Sequence, residues 1–193
     1  MNTSRAETLV SDNIRESIRV KETLLATMVP LIVKTANLIS ESIASGGKLI
    51  LFGNGGSAGD AQHIAAELLG RFELERPAFP AIALTTNSST LTAIANDYGY
   101  EQIFSRQIQG LTNPGDVVIG ISTSGNSLNV LKAIRVAKEK GATTIGMTGE
   151  KGGQLVLECT HCFKVPSSKT ARIQESHIMI GHLLCLLIEQ NLS

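Results

Sequence analysis

Three groups of residues in this chain have the types and spacing for chemistry. His63 and Glu67 stand four apart in the run from Lys48 to Arg71, KLILFGNGGSAGDAQHIAAELLGR. On a helix that spacing puts an imidazole and a carboxylate on one face, either as a working pair or as an exposed polar pair. Ser122-Thr123-Ser124-Gly125-Asn126-Ser127 offers four hydroxyls ahead of an apolar-periodic segment. Helix capping uses one or two of them. Four hydroxyls beside free N–H groups and the positive end of a helix dipole suit a phosphate dianion without a cation. The third group is Arg172-Ile173-Gln174-Glu175, His177 and His182, the last among Gly181, Leu183, Leu184, Cys185, Leu186 and Leu187. An imidazole in such surroundings is either a satisfied core histidine or has a task. Cys159-Thr160-His161-Cys162 has the form of half a metal knuckle, but structural zinc takes about four ligands and no second pair exists. Free thiols beside a strand are the better reading.

These groups need elements to hold them. Leu49–Phe52, apolar between Lys48 and Gly53, reads as a strand buried on both faces. Gly53-Asn54-Gly55-Gly56 allows a tight turn, and Ser57 or Asp60 is expected to cap the helix that carries His63 and Glu67. The turn spells neither the dinucleotide fingerprint nor a Walker loop. The same order recurs at 117–140: strand Val117–Ile121, the hydroxyl-rich turn, and helix Leu128–Lys140 closed by Gly141. Further strands are expected at 81–84, 143–147 and 162–165. Further helices are expected at 88–95, stopped by Asn96-Asp97-Tyr98-Gly99-Tyr100, at 103–111 and at 170–190. Strands alternating with helices imply a parallel sheet covered on both faces, an α/β three-layer fold with five strands. Ahead of it, residues 3–45 are apolar at helical spacing and broken near Pro30, which predicts two helices. Their apolar surface exceeds what one small sheet covers, so part of it is expected to pack on another subunit.

Composition narrows the function classes. The 193 residues are 42% hydrophobic, enough for a full core, and 17 basic residues balance 17 acidic ones. A neutral chain exerts no global pull on nucleic acid. No apolar run reaches the ~18 residues of a membrane span, and the first residues lack the apolar core of a signal peptide. With three cysteines, the expectation is a cytoplasmic protein with free thiols, bound neither to nucleic acid nor to membrane.

Gly53-Asn54-Gly55-Gly56-Ser57, the serine run 122–127 and Arg172-Ile173-Gln174-Glu175-x-His177 together resemble the sugar isomerase (SIS) family, and within it the bacterial phosphoheptose isomerases. The resemblance covers nearly the whole chain. It implies a single SIS domain over 1–193, with 1–45 as oligomerisation helices and 46–193 as the core. The implied activity is conversion of sedoheptulose 7-phosphate to D-glycero-D-manno-heptose 7-phosphate by enediol proton transfer, at the entry to lipopolysaccharide heptose synthesis. Carried over residue by residue, Asn54, Gly55, Gly56, Glu67, Asn96, Asp97 and Gln174 contact substrate. Ser122, Thr123, Ser124 and Ser127 hold its phosphate. His63, Glu67, Gln174 and His182 bind one zinc per subunit, and Glu67 and His182 match the base and the acid. The resemblance further implies a homotetramer with shared active sites. Gln174 and His182, eight apart, would be separated by ~12 Å on one straight helix, which also points to a site built from more than one subunit.

One departure stands out: some members carry an aspartate where this chain has Ala171. The alternative reading is a non-catalytic SIS-domain partner of the replication initiator, which the Ala171-Arg172-Ile173-Gln174-Glu175 run favours. The pair Glu67 and His182 favours the enzyme, because a binding scaffold needs neither.

Overall fold

The computed structural model describes residues 2–193; Met1, the first residue of the expected domain, lies outside them. Two helices lead, α1 (Thr3–Thr27) and α2 (Val29–Ala44), followed by strand β1 (Leu49–Gly53), helix α3 (Gly56–Leu69), strand β2 (Ala81–Ala83) and helix α4 (Ser88–Tyr98). After a 3-10 turn at Tyr100–Gln102 come α5 (Ser105–Leu111), β3 (Val117–Ile121), α6 (Leu128–Glu139), β4 (Thr143–Thr148), α7 (Leu155–Glu158), β5 (His161–Lys164) and α8 (Thr170–Leu192). The five strands form one parallel sheet in the order β2-β1-β3-β4-β5.

Alternation along the strands divides the core in two. Leu49, Leu51, Ile119, Ile121, Ile145, Met147 and Phe163 face a layer built from α1, α2, α3 and α8. Ile50, Phe52 and Val118 face the other layer, where Phe104, Ile108, Val130, Ile134 and Leu155 come from α5, α6 and α7 or their starts. Phe52 and Phe104 stack at 5.1 Å between ring centroids, both almost wholly buried. Burying each such ring contributes about 1.5–3 kcal/mol. At the N-terminal end of the sheet, buried Asp116 accepts from Lys48 Nζ at 2.7 Å, from Lys48 N–H and from Asn113 N–H. That ties the start of β1 to the start of β3 and leaves the opposite end free for chemistry.

The break near Pro30 stands as expected, with Pro30 in the first turn of α2, where a missing N–H costs nothing. The axes of α1 and α2 turn by 69° there. The structure corrects several expected boundaries. Neither Ser57 nor Asp60 caps α3: the N-cap is Gly55, and both polar residues lie inside the helix. Asn96 and Asp97 do not stop α4; they form its last turn, and Gly99 ends it with φ +92°, a conformation only glycine adopts freely. The segment expected as a helix from 103 starts at Ser105, after the 3-10 turn. The short α7 was not expected, since one turn leaves no periodicity to read. All three cysteines are free. Among the described residues no single helix is long and apolar enough to cross a membrane.

Candidate active site

In a parallel sheet of this order, β1 and β3 are neighbours whose following helices go to opposite faces, which opens a crevice at their C-terminal ends. Asn54, in the turn after β1, reaches across it to Asn129, in the first turn of α6; the two side-chain amides are 2.9 Å apart. A cavity of about 560 Å³ opens beside them, lined also by Tyr98, Tyr100, Ser127 and Leu128.

The serine turn after β3 is laced to the β4 side. Ser122 N–H donates to Met147 O, Gly149 N–H to Thr123 O, and Leu155 N–H to Gly125 O. Gly125 has φ +69°, and a Cβ on it would strike the Gly152 carbonyl, so no larger residue fits. The hydroxyls converge: Ser122 Oγ is 2.8 Å from Ser127 Oγ and 3.5 Å from Ser124 Oγ. They sit at the N-terminus of α6, where first-turn N–H groups lack intrahelical partners and the dipole is positive. The arrangement suits an anion. A smaller cavity of about 230 Å³ adjoins Thr123 and Ser124 and is walled by Lys151, Ser167 and Ser168.

On the other face, α3 and α8 bring the titratable groups together. Gly181 allows it: a Cβ there would be 2.5 Å from Ile64 Cδ1, so a larger residue would have to displace buried Ile64 or part α8 from α3. His182 then meets His63 with Nε2 to Nε2 at 2.8 Å, and His63 Nε2 lies 3.2 Å from Glu67 Oε1. Ligand atoms of His63, Glu67 and His182 fall within 4.8 Å of one another, half-exposed and open to solvent. Two imidazoles and a carboxylate converging on one point fit a divalent ion such as zinc by donor chemistry and spacing. Phe72 lays its ring 5.6 Å from the His182 ring. One turn before His63, Asp60 keeps a buried carboxylate oxygen without a partner, and burial pushes its pKa up to about 6.

The loop that carries Phe72 is clamped from α8. Buried Glu189 accepts from the N–H groups of Phe72, Glu73 and Leu74 and from Arg76 Nε at 3.0 Å. Burial pushes the Glu189 carboxyl up, and these bonds outweigh it, leaving its pKa below the ordinary value. Arg76 also donates to the carbonyls of Glu67 and Leu68 and so closes the C-terminal end of α3.

The residues carried over from the family thus fall into separate places in one chain. His63, Glu67 and His182 come together. Asn54, Gly55, Gly56 and the hydroxyls Ser122, Thr123, Ser124 and Ser127 lie at the C-terminal ends of β1 and β3. Gln174 is not with the three ligands; its amide packs on Gly56, where a Cβ would overlap it. Asn96 and Asp97 are exposed on α4, with Asn96 donating to Asp97 at 2.9 Å, and do not line the cavity beside Asn54. Sequence reasoning missed Phe72, Tyr100, Asn129, Arg76 and Glu189. Only Asn129 left a signal, a polar residue on the buried side of α6.

The parallel α/β sheet with a hydroxyl-lined turn at the switch point has the form of a SIS domain, and the sequence pattern of the SIS domain matches residues 13–149. The chain belongs to that family and, within it, to the phosphoheptose isomerases. It is 52% identical over 183 residues to the phosphoheptose isomerase of Aneurinibacillus thermoaerophilus, covering 94% of this chain and 92% of the relative. The solved phosphoheptose isomerase of Neisseria gonorrhoeae is 41% identical with a TM-score of 0.91, covering 96% of this chain and 99% of that one. The solved enzyme of Francisella tularensis is 38% identical with a TM-score of 0.92, covering 96% and 98%.

Proposed function

We infer that the protein interconverts the ketose sedoheptulose 7-phosphate and the aldose D-glycero-D-manno-heptose 7-phosphate. The observation that carries this is the convergence of His63, Glu67 and His182 within 4.8 Å in a chain about half identical to phosphoheptose isomerases. The reaction moves a proton between adjacent carbons through an enediol, so it needs a base beside carbon and an acid beside oxygen. Glu67 takes the proton from carbon and His182 serves the oxygen. Ser122, Thr123, Ser124 and Ser127 hold the phosphate at the α6 N-terminus, and Asn54, Gly55 and Gly56 contact the sugar through the β1 turn. The alternative role as a partner of the replication initiator finds no support in these relatives.

His63, Glu67, His182 and Gln174 would hold one zinc per subunit, which when bound would polarise the sugar carbonyl; since a carboxylate tied to zinc is a poorer base, either Glu67 leaves the metal during turnover or the zinc is partly structural. Gln174, Asn96 and Asp97 stand apart from His63, Glu67 and His182 in one chain, which favours a homotetramer in which neighbouring subunits complete each site. Exposed Leu9, Ile14 and Ile18 on α1 and Val29 and Val33 on α2 give the oligomerisation helices an apolar face to bury. The protein acts in the cytoplasm on a sugar phosphate, without nucleic acid or membrane, and its product feeds ADP-heptose and lipopolysaccharide core synthesis.

The test is conversion of sedoheptulose 7-phosphate by the purified protein, with metal content and oligomeric state read on the same sample. Turnover by a zinc-bearing tetramer is expected. No turnover in a folded, zinc-replete oligomer sinks the isomerase, and full activity in a monomer sinks the shared site.

A further inference from the structure

Asn54 is held from three sides. Its Nδ2 donates to Asn129 Oδ1 at 2.9 Å, and Asn129 Nδ2 donates back to Asn54 Oδ1 at 2.9 Å. Such a pair of amides could be turned over together without losing either bond, so the pair alone does not fix which atom faces which way. The backbone decides. The Val130 N–H, which can only donate, lies 2.9 Å from Asn129 Oδ1, so that atom is oxygen. Asn129 Nδ2 must then face Asn54 Oδ1. The Tyr100 hydroxyl donates to the same oxygen at 2.9 Å. Both lone pairs of the Asn54 oxygen are thereby filled and one of its two N–H groups is spent. A single N–H remains, beside the cavity lined by Tyr100, Ser127 and Asn129.

We infer that Asn129 and Tyr100 are positioning residues that make Asn54 a pure hydrogen-bond donor, so that it recognises an acceptor oxygen of the sugar phosphate and cannot accept from a sugar hydroxyl. The inference deepens the proposed function and rests on it for the substrate class. Asn129 is buried, with 3% of its surface exposed, and Tyr100 is 62% exposed, so the two differ in what their loss does to the fold. Asn129→Asp keeps an acceptor for Val130 N–H and for Asn54 Nδ2 but sets a second oxygen against Asn54 Oδ1, a repulsion that neither orientation of the Asn54 amide relieves, so the amide is pushed out of place.

The test is a double-mutant cycle on KM and kcat for sedoheptulose 7-phosphate, with melting temperatures alongside. Asn129→Asp raises KM about tenfold and Tyr100→Phe about threefold, with kcat little changed, the scale of one lost or weakened hydrogen bond. In an Asn54→Ala background neither change adds anything. Additive losses in that background overturn the inference, because a merely structural role persists without Asn54. Should Asn129→Asp fail to fold, surface-exposed Tyr100→Phe gives the same reading. A second readout needs no turnover: the Asn54 side-chain amide resonance, assigned by its loss in Asn54→Ala, shifts in Tyr100→Phe. A resonance unmoved by that change overturns the network, whereas absent wild-type turnover with a shifted resonance overturns only the substrate.

Discussion

The β1–turn–α3 and β3–turn–α6 units lie side by side in register, Leu49 opposite Val117 and Gly53 opposite Ile121, yet they carry their chemistry in different places. In the first, the turn is glycine around Asn54, and the proposed proton transfer falls on the helix, with His63 and Glu67 one turn apart on α3. In the second, the proposed phosphate contacts fall on the turn through its hydroxyls, and α6 buries Val130, Leu131, Ile134 and Ala137 against the sheet. The helices also lie on opposite faces, so α3 meets α8 and its His182, while α6 packs on the sheet and sends Asn129, in its first turn, to the crevice. One unit offers titratable groups that can exchange protons. The other offers neutral hydroxyls and N–H groups that can hold charge but not move it. A substrate with a phosphate at one end and a reacting carbonyl at the other needs both.

Removing the carboxylate from the first unit should have the largest effect. Glu67→Gln is expected to lower kcat by about 10²–10⁴-fold, the range for a lost general base, with KM little changed. Kinetics on zinc-analysed samples check it; a rise in KM at constant kcat would erase the division of labour between the units.

The next effect tests the seam between them. His177 on α8 is wholly buried and donates from Nε2 to Thr148 O, at the end of β4 next to the serine turn. Burial lowers its pKa to about 4 from 6.5, with the Thr148 bond opposing. Above pH 6.5 the histidine is neutral in both folded and unfolded chains. As pH falls from 6.5 towards 4 the unfolded chain takes the proton first, so stability drops through that window, by about 3 kcal/mol in all. Asp60, raised to about 6, has the opposite sign: protonated in the fold, it adds stability as pH falls through that value. Subtracting the His177→Gln unfolding curve from the parent's isolates the histidine. A difference that stays flat from pH 6.5 to 4 would show that this seam carries no proton linkage.

The sheet and both turns were legible in the sequence because fully buried parallel strands leave unbroken apolar runs, as at Val117–Ile121, and because glycine and serine clusters mark where chains must bend or bind. What stayed hidden depends on packing between distant segments. That Gly181 sets His182 against His63 is visible only once α8 is laid on Ile64. Asn96 and Asp97 read as a helix stop, since both residue types favour turns, yet the helix runs on to Gly99, whose positive φ outranks their weaker preference. Nothing near Glu189 in the sequence marks it as buried, since its three backbone donors come from more than a hundred residues earlier.

A smaller effect sharpens the role of the second unit. Ser124→Ala is expected to raise KM about tenfold with kcat within about twofold of the parent, since one charge-assisted hydrogen bond from a neutral hydroxyl to a held phosphate is lost. The hydroxyl is exposed, accepts from Asn126 N–H at 3.2 Å and lies 3.5 Å from Ser122 Oγ, both long contacts, so melting should hardly move. A fall in kcat that matches the Glu67 variant would mean that the turn takes part in proton transfer.

The smallest change in stability is expected where the first unit's glycine turn meets α8. Gly56 opens α3 without a positive φ, so alanine there suits the helix and could add up to about 1 kcal/mol. The added Cβ would nevertheless overlap the Gln174 amide, the far end of a flexible side chain that can swing aside. Gly56→Ala should therefore melt at or slightly above the parent temperature while losing whatever Gln174 contributes. If Gln174 completes the metal set of a neighbouring subunit, zinc content falls with activity and the tetramer persists. If Gln174 only contacts sugar, zinc content holds and KM rises. Unchanged zinc, KM and kcat together would remove Gln174 from the site, leaving α8 to serve it through His182 alone.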